Sequence, residues 1–191
     1  MKKTESLLLG IIAALGSLAA IATVAVTIQI FTSGEKWVFT EAYLYAPSFV
    51  VIAILIEELS KYIFISKKIA PRKNRRAVAD AIFFGLGFAL VESSLIFFSN
   101  PIAENIARGI LETSMIHIST SAIIAGTITA DYLRSNAGKI LSAMVPAIII
   151  HLAYNFSILH GMDIQASALS ALSSLSAIAI LITSSKRNQV F

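Results

Sequence analysis

The sequence contains no cysteine, so disulfides, thiolate metal sites and a cysteine nucleophile are excluded from any mechanism it supports. It is also poor in charge: only 14% of its 191 residues are Asp, Glu, Lys or Arg, against about a quarter in a typical soluble domain. That scarcity argues against a soluble globule. Internal repeats, low-complexity tails and a soluble second domain are missing as well. What fills the chain is apolar, 57% of all residues. These residues come in unbroken stretches of about twenty or more, the length that crosses a hydrocarbon core of about 30 Å. The expected fold class is therefore all-α, a polytopic integral membrane bundle of about six transmembrane helices. It forms a single transmembrane domain over 1–191, and the lipid bilayer is its obligatory partner.

The spans are expected at 6–31, 43–65, 78–98, 110–130, 140–159 and 166–183. The first apolar run is far longer than the ~7 to 15 residues of a signal-peptide core and reads as an anchor helix. The net charge of +4 does not indicate nucleic-acid binding, because the basic residues sit in short connections rather than on one face. They read as topology signals. Of the fifteen Lys and Arg, Lys61 lies inside a span and Lys36 and Arg108 fall on one side, leaving twelve on the other. Cytoplasmic loops carry the excess, which puts both termini and the basic segment 67–76, expected as a solvated loop, in the cytoplasm of a multi-pass cell-membrane protein. Trp37, Tyr43 and Tyr45 fit an aromatic belt at the outer boundary.

The residues that break the apolar pattern carry most of the functional information, since a charge near the bilayer centre costs about 2.5 to 3.5 kcal/mol on insertion scales. The second span holds Glu57, Glu58 and Lys61, the third Glu92, the fourth His117, and the fifth His151 and Asn155. Counting about 1.5 Å per residue from each cytoplasmic end puts the glutamate pair about 10 to 14 Å deep, His151 about 17 Å, and Glu92 and His117 about 20 Å. Four helices bring ionisable groups to similar depth, which points to one internal polar cavity. Residues three or four apart share a helix face, so Glu57 and Glu58 both approach Lys61, while Phe88 pairs with Glu92 and His151 with Asn155. Gly85, Gly87 and Ala89 allow the third helix a close partner. The bland readings are a neutralising Glu58–Lys61 pair, an interfacial Arg108–Glu112 pair, boundary positions for Asp80 and Asp131, and a packing stripe of Ser167, Ser170, Ser174 and Ala177. His160 has no functional case.

The chain has no H-E-x-x-H, no G-x-S-x-G and no intramembrane Asp pair. What remains suits activation of water without a covalent intermediate. One glutamate of the 57–58 pair would act as general base while the other stays charged against Lys61. His151 and Asn155 would donate to an oxyanion, and His117 would orient the water or relay its proton. No cofactor is required, although Zn held by Glu57, Glu58, His117 and His151 stays open because it accepts N and O ligands. The same groups would also build a proton- or ion-coupled transporter, or remain in a noncatalytic membrane chaperone or immunity protein.

The ordered set Glu57-Glu58-x-x-Lys61, Gly85-x-Gly87-Phe88-Ala89-x-x-Glu92, Arg108 with His117, and His151-x-x-x-Asn155 resembles the PrsW family of intramembrane proteases. That family is related to CAAX prenyl endopeptidases and bacteriocin-processing enzymes. The likeness covers about residues 55 to 156, within a protease core expected over 43–160. CAAX-type relatives carry Arg after the glutamate pair and His where Glu92 stands, so Lys61 and Glu92 favour the PrsW branch. Ser93, where the family often has Asn, and the surroundings of His117 depart from it. The resemblance implies an all-helical membrane fold and an intramembrane endopeptidase acting by glutamate-activated water. Its substrates would be membrane proteins such as anti-sigma factors, and its functional positions fall on Glu57, Glu58, Glu92, His117 and His151, with Asn155.

Overall fold

A computed structural model describes residues 2–32, 47–72, 75–99, 105–130 and 136–186. They form α1 (Lys3–Thr32), α2 (Pro47–Phe64), α3 (Arg75–Ser99), α4 (Ile106–Ala130), α5 (Asn136–Leu159) and α6 (Asp163–Lys186), with no strand among the described residues. The helices coincide with the six expected spans to within a few residues at most ends. Trp37, Tyr43, Tyr45, Lys36, Lys73, Asp131, Arg134 and Arg187 lie outside the described residues.

α1, α3, α5 and α6 are each long and apolar enough to cross a membrane, and they turn side chains such as Leu8, Ile12, Leu95, Ile149, Leu172 and Ile182 outward. α2 and α4 fall short of that apolarity because they carry the polar residues. The bundle resolves the conflict by position. α4 sits at the centre, packed on α3, α5 and α6 and touching α2, so Thr113, His117, Ser119, Thr120 and Ser121 are buried against protein rather than lipid. The result is an all-α multi-pass membrane bundle.

Two glycines set how tightly α3 is held. Gly85 and Gly87 are about 200° apart around a helix, so they face opposite neighbours. A Cβ at Gly85 would lie 2.7 Å from the His117 carbonyl oxygen and from Ile118 Cα, and one at Gly87 would overlap the Leu7 carbonyl. Gly10 of α1 makes the reciprocal approach to the Phe84 carbonyl. Without side chains at these points, α3 slots between α1 and α4, as small residues permit in membrane bundles. The turn bearing His117 is thereby pressed against the turn bearing Phe88.

The 67–76 segment differs from the loop expected of it. α2 runs on through a π-helical turn, Ile65–Ile69, and a 3-10 turn, Ala70–Arg72. Ile65 and Ile69 are fully buried while Lys67 and Lys68 are exposed. The wide turn thus aims both isoleucines into the core and leaves the lysines outside, a demand of packing that the charge pattern hid. At the opposite end the Arg108–Glu112 pair (3.5 Å) extends to α6, since Arg108 also reaches Asp163 at 2.9 Å and Ser167 donates to Glu112 at 2.5 Å. The serine stripe of α6 faces α4, with Ser170 and Ala177 buried and Ser174 3.4 Å from Ser119.

Candidate active site

Adjacent residues on a helix point about 100° apart, so Glu57 and Glu58 differ in burial and reach opposite nitrogens of the His151 ring. Glu58 turns into the bundle and is fully buried. Its Oε1 accepts from Lys61 Nζ at 2.6 Å and lies 2.7 Å from His151 Nδ1. Lys61 is equally buried, donates to Thr120 Oγ1 at 3.0 Å and lies 4.8 Å over the Phe88 ring. α2 thereby grips α5 through the imidazole and α4 through the threonine. The expected Glu58–Lys61 pair is present, but its carboxylate also fixes the orientation of His151.

With Nδ1 engaged, His151 presents Nε2 toward Glu57, 3.7 Å from Oε2. His117, on α4, is stacked on Phe88 at 4.9 Å and meets His151 edge-on at 5.0 Å. Its Nε2 lies against Glu92 Oε2, without the geometry of a hydrogen bond, and neither ring nitrogen has a hydrogen-bond partner. Glu57 Oε2 is likewise buried and without one. Phe88 and Glu92, one turn apart on α3, meet the same imidazole, one by its ring and the other by its charge.

Glu57 and Glu92 line a cavity of about 810 Å³ with Phe88, Val91, Leu95, Ile96 and Ser99 of α3, Ala14, Ser17 and Leu18 of α1, and Ile158 of α5. Glu58 is not among its lining. Asn155 is half-buried one turn beyond His151 and does not line the cavity either. Two contributors escaped the sequence reading. Thr120 is three residues from His117 and so shares its face, a spacing that could have singled it out. The α1 wall left no such signal, because nothing in an apolar anchor shows which helices it will pack against.

Glu57, His117 and His151 each offer one ligand atom, and these atoms lie within 4.8 Å of one another. A carboxylate with two imidazoles is an N/O donor set that suits Zn. Glu57 Oε2 and the His117 ring nitrogens, which have no hydrogen-bond partner, and a carboxylate behind His151 are what such a centre requires of its surroundings. The residues fit a metal.

Imidazoles and carboxylates gathered beside a cavity inside a membrane bundle suit hydrolysis within the membrane, and the family match makes the class that of intramembrane proteases. Within that class the chain belongs to the PrsW family: the model described as PrsW family intramembrane metalloprotease matches residues 4–183. The match takes in α1 and nearly all of α6, beyond the stretch the motifs covered. No curated protein and no solved structure matches the chain.

Proposed function

We propose that the chain is an endopeptidase that hydrolyses peptide bonds of membrane-protein substrates, with water activated by glutamate at the cavity lined by α1, α2, α3 and α5. The observation that carries the reading is the convergence of Glu57, His117 and His151, from three helices, to within 4.8 Å. Glu57, His117 and His151 are the residues that would hold a Zn ion. The chemistry supplied by such an ion when bound is a lowered proton affinity of water and a polarised carbonyl. Glu92, 30% exposed at its side chain and facing the cavity, is the carboxylate placed to take the proton of the attacking water and pass it to the leaving amine. His117, beside it, holds the carboxylate in its charged form before the proton is taken and after it is passed on.

Glu58 and Lys61 act through His151, holding its ring so that Nε2 faces the centre. Phe88 fixes the plane of His117 by stacking. Asn155 is the remaining candidate for an oxyanion donor, one turn from His151. We place both termini and the basic segment after α2 on the cytoplasmic side, on the twelve-to-two charge bias, and treat the whole chain as one transmembrane unit.

The test compares protein N-termini in membranes of cells making the wild-type chain or Glu92→Gln. Fragments that disappear with Glu92→Gln, at equal protein level, are the expected result. A fragment pattern identical in the two membranes would overturn the proposal.

A further inference from the structure

We infer that Thr120 is a positioning residue of the active site: its hydroxyl fixes the Lys61 ammonium and, through Lys61 and Glu58, holds His151 of α5 in register with His117, one turn away on α4. This rests on the protease reading for its consequence in catalysis. Thr120 is fully buried and does not line the cavity, so it works on the reaction through other residues.

An ammonium has three N–H donors and no acceptor. In a lysine that is 0% exposed each donor needs a destination, and three stand around Lys61 Nζ. They are Glu58 Oε1 at 2.6 Å on α2, Thr120 Oγ1 at 3.0 Å on α4, and the Phe88 ring of α3, 4.8 Å to its centroid. A ring face attracts a cation over a broad area, and the Glu58 side chain has several torsions to follow the ammonium with. Thr120 is the stiff member of the three. Its branched Cβ restricts the side chain, and its hydroxyl donates to the His117 carbonyl at 3.4 Å, which selects the rotamer and leaves the oxygen lone pairs to Lys61. That carbonyl is itself held from the α3 side, where a Cβ at Gly85 would come within 2.7 Å of it. The far end of the chain is equally direct. The atom of Glu58 that meets Lys61 Nζ, Oε1, is the one that lies 2.7 Å from His151 Nδ1, so an ammonium that moves takes the partner of the imidazole with it. From the His117 carbonyl through Thr120, Lys61 and Glu58 to His151, one line of contacts crosses from α4 over α2 to α5. It ties together from behind the two imidazoles that meet edge-on at 5.0 Å.

Two substitutions separate the hydroxyl from the bulk of the side chain. Thr120→Val keeps the shape and removes the hydroxyl, whereas Thr120→Ser keeps the hydroxyl and removes the methyl. The sequence has three histidines, His117, His151 and His160. Nitrogen-15 histidine labelling of the metal-free chain in detergent therefore gives few imidazole signals, each assigned by replacing one histidine. The expected result is a displaced His151 signal in Thr120→Val, its return to the wild-type position in Thr120→Ser, and a constant His160 signal. Zinc affinity, measured by competition against a chromophoric chelator, should fall about 10-fold in the valine variant, the lower end of the range for outer-shell partners, and recover in the serine variant. In a Glu58→Gln, Lys61→Met background, where the line from Thr120 to His151 is cut, Thr120→Val should change neither quantity further. Should valine prevent folding, Thr120→Ala set against Thr120→Ser makes the same comparison. A His151 signal unmoved by valine, an equal displacement by serine, or an undiminished valine effect in the cut background would overturn the role. Cleavage of a membrane-spanning peptide is scored separately, with kcat expected to fall and KM to hold in the valine variant. A His151 signal that responds as expected in a chain that cuts nothing supports the positioning role and counts against the protease reading. A valine variant with the wild-type His151 signal, in a chain that does cut, sinks the role and leaves the protease reading standing.

Discussion

Replacing Glu58 by Gln removes one charge from a pair buried away from bulk solvent. Glu58 and Lys61 are both 0% exposed and 2.6 Å apart, so Glu58→Gln strands a lysine whose other hydrogen-bond partner among the described residues is the Thr120 hydroxyl at 3.0 Å. Breaking a buried pair by removing one member costs about 3–5 kcal/mol, most of it the uncompensated charge left behind. The substitution also weakens the 2.7 Å contact that orients His151, and losing an outer-shell carboxylate of this kind typically lowers metal affinity about 10- to 100-fold. The two consequences separate in a double substitution. Glu58→Gln with Lys61→Met removes both charges, so most of the lost stability should return, because an apolar replacement of a buried pair is often neutral. The metal defect should remain, since His151 still lacks its carboxylate. The assays are reversible unfolding in detergent and zinc competition against a chromophoric chelator. Wild-type stability and zinc affinity in Glu58→Gln would refute the reasoning, as would a double variant that recovers zinc affinity along with stability.

Further outcomes follow from the packing and the topology. Gly87→Ala sets a Cβ onto the Leu7 carbonyl, so α1 and α3 must separate; an overpacking cost of about 1–3 kcal/mol is expected, read as a lower unfolding midpoint, while Gly16→Ala, where a Cβ meets nothing within 4 Å, should leave the midpoint unchanged. An alkaline phosphatase fused after Arg72 should be inactive and a cytoplasmic reporter at the same point active, and the reverse pattern would invert the orientation drawn from the basic residues.

Much of the bundle was legible because the bilayer imposes its own length scale: a run such as 6–31 has few structures open to it other than a spanning helix. The convergence of Glu57, Glu92, His117 and His151 was legible for a related reason, as charged groups in lipid need one another. The division of labour inside Glu57-Glu58 was not. Which of two adjacent side chains turns toward Lys61 and His151 depends on the rotation of α2 against α4 and α5, and nothing local to the pair encodes that angle. The role of α1 as a wall was hidden for the same reason, since Ala14 and Ser17 look like any other small residues of an anchor. The π-helical turn at Ile65–Ile69 answers to a core assembled from four other helices, which a charge-rich stretch of sequence does not display.

The central claim is that Glu57, His117 and His151 form the centre and that Glu92 works beside it on the reacting water. Metal content and cleavage measured together on one set of purified proteins test it most directly. The account predicts about one zinc per wild-type chain, lost in Glu57→Gln and His151→Ala but retained in Glu92→Gln, with cleavage of a membrane-spanning peptide abolished in all three; loss of a general base lowers the rate by about 10² to 10⁴. A wild-type chain that cleaves without zinc and ignores chelators, or a Glu92→Gln variant that cleaves at the wild-type rate, would contradict it.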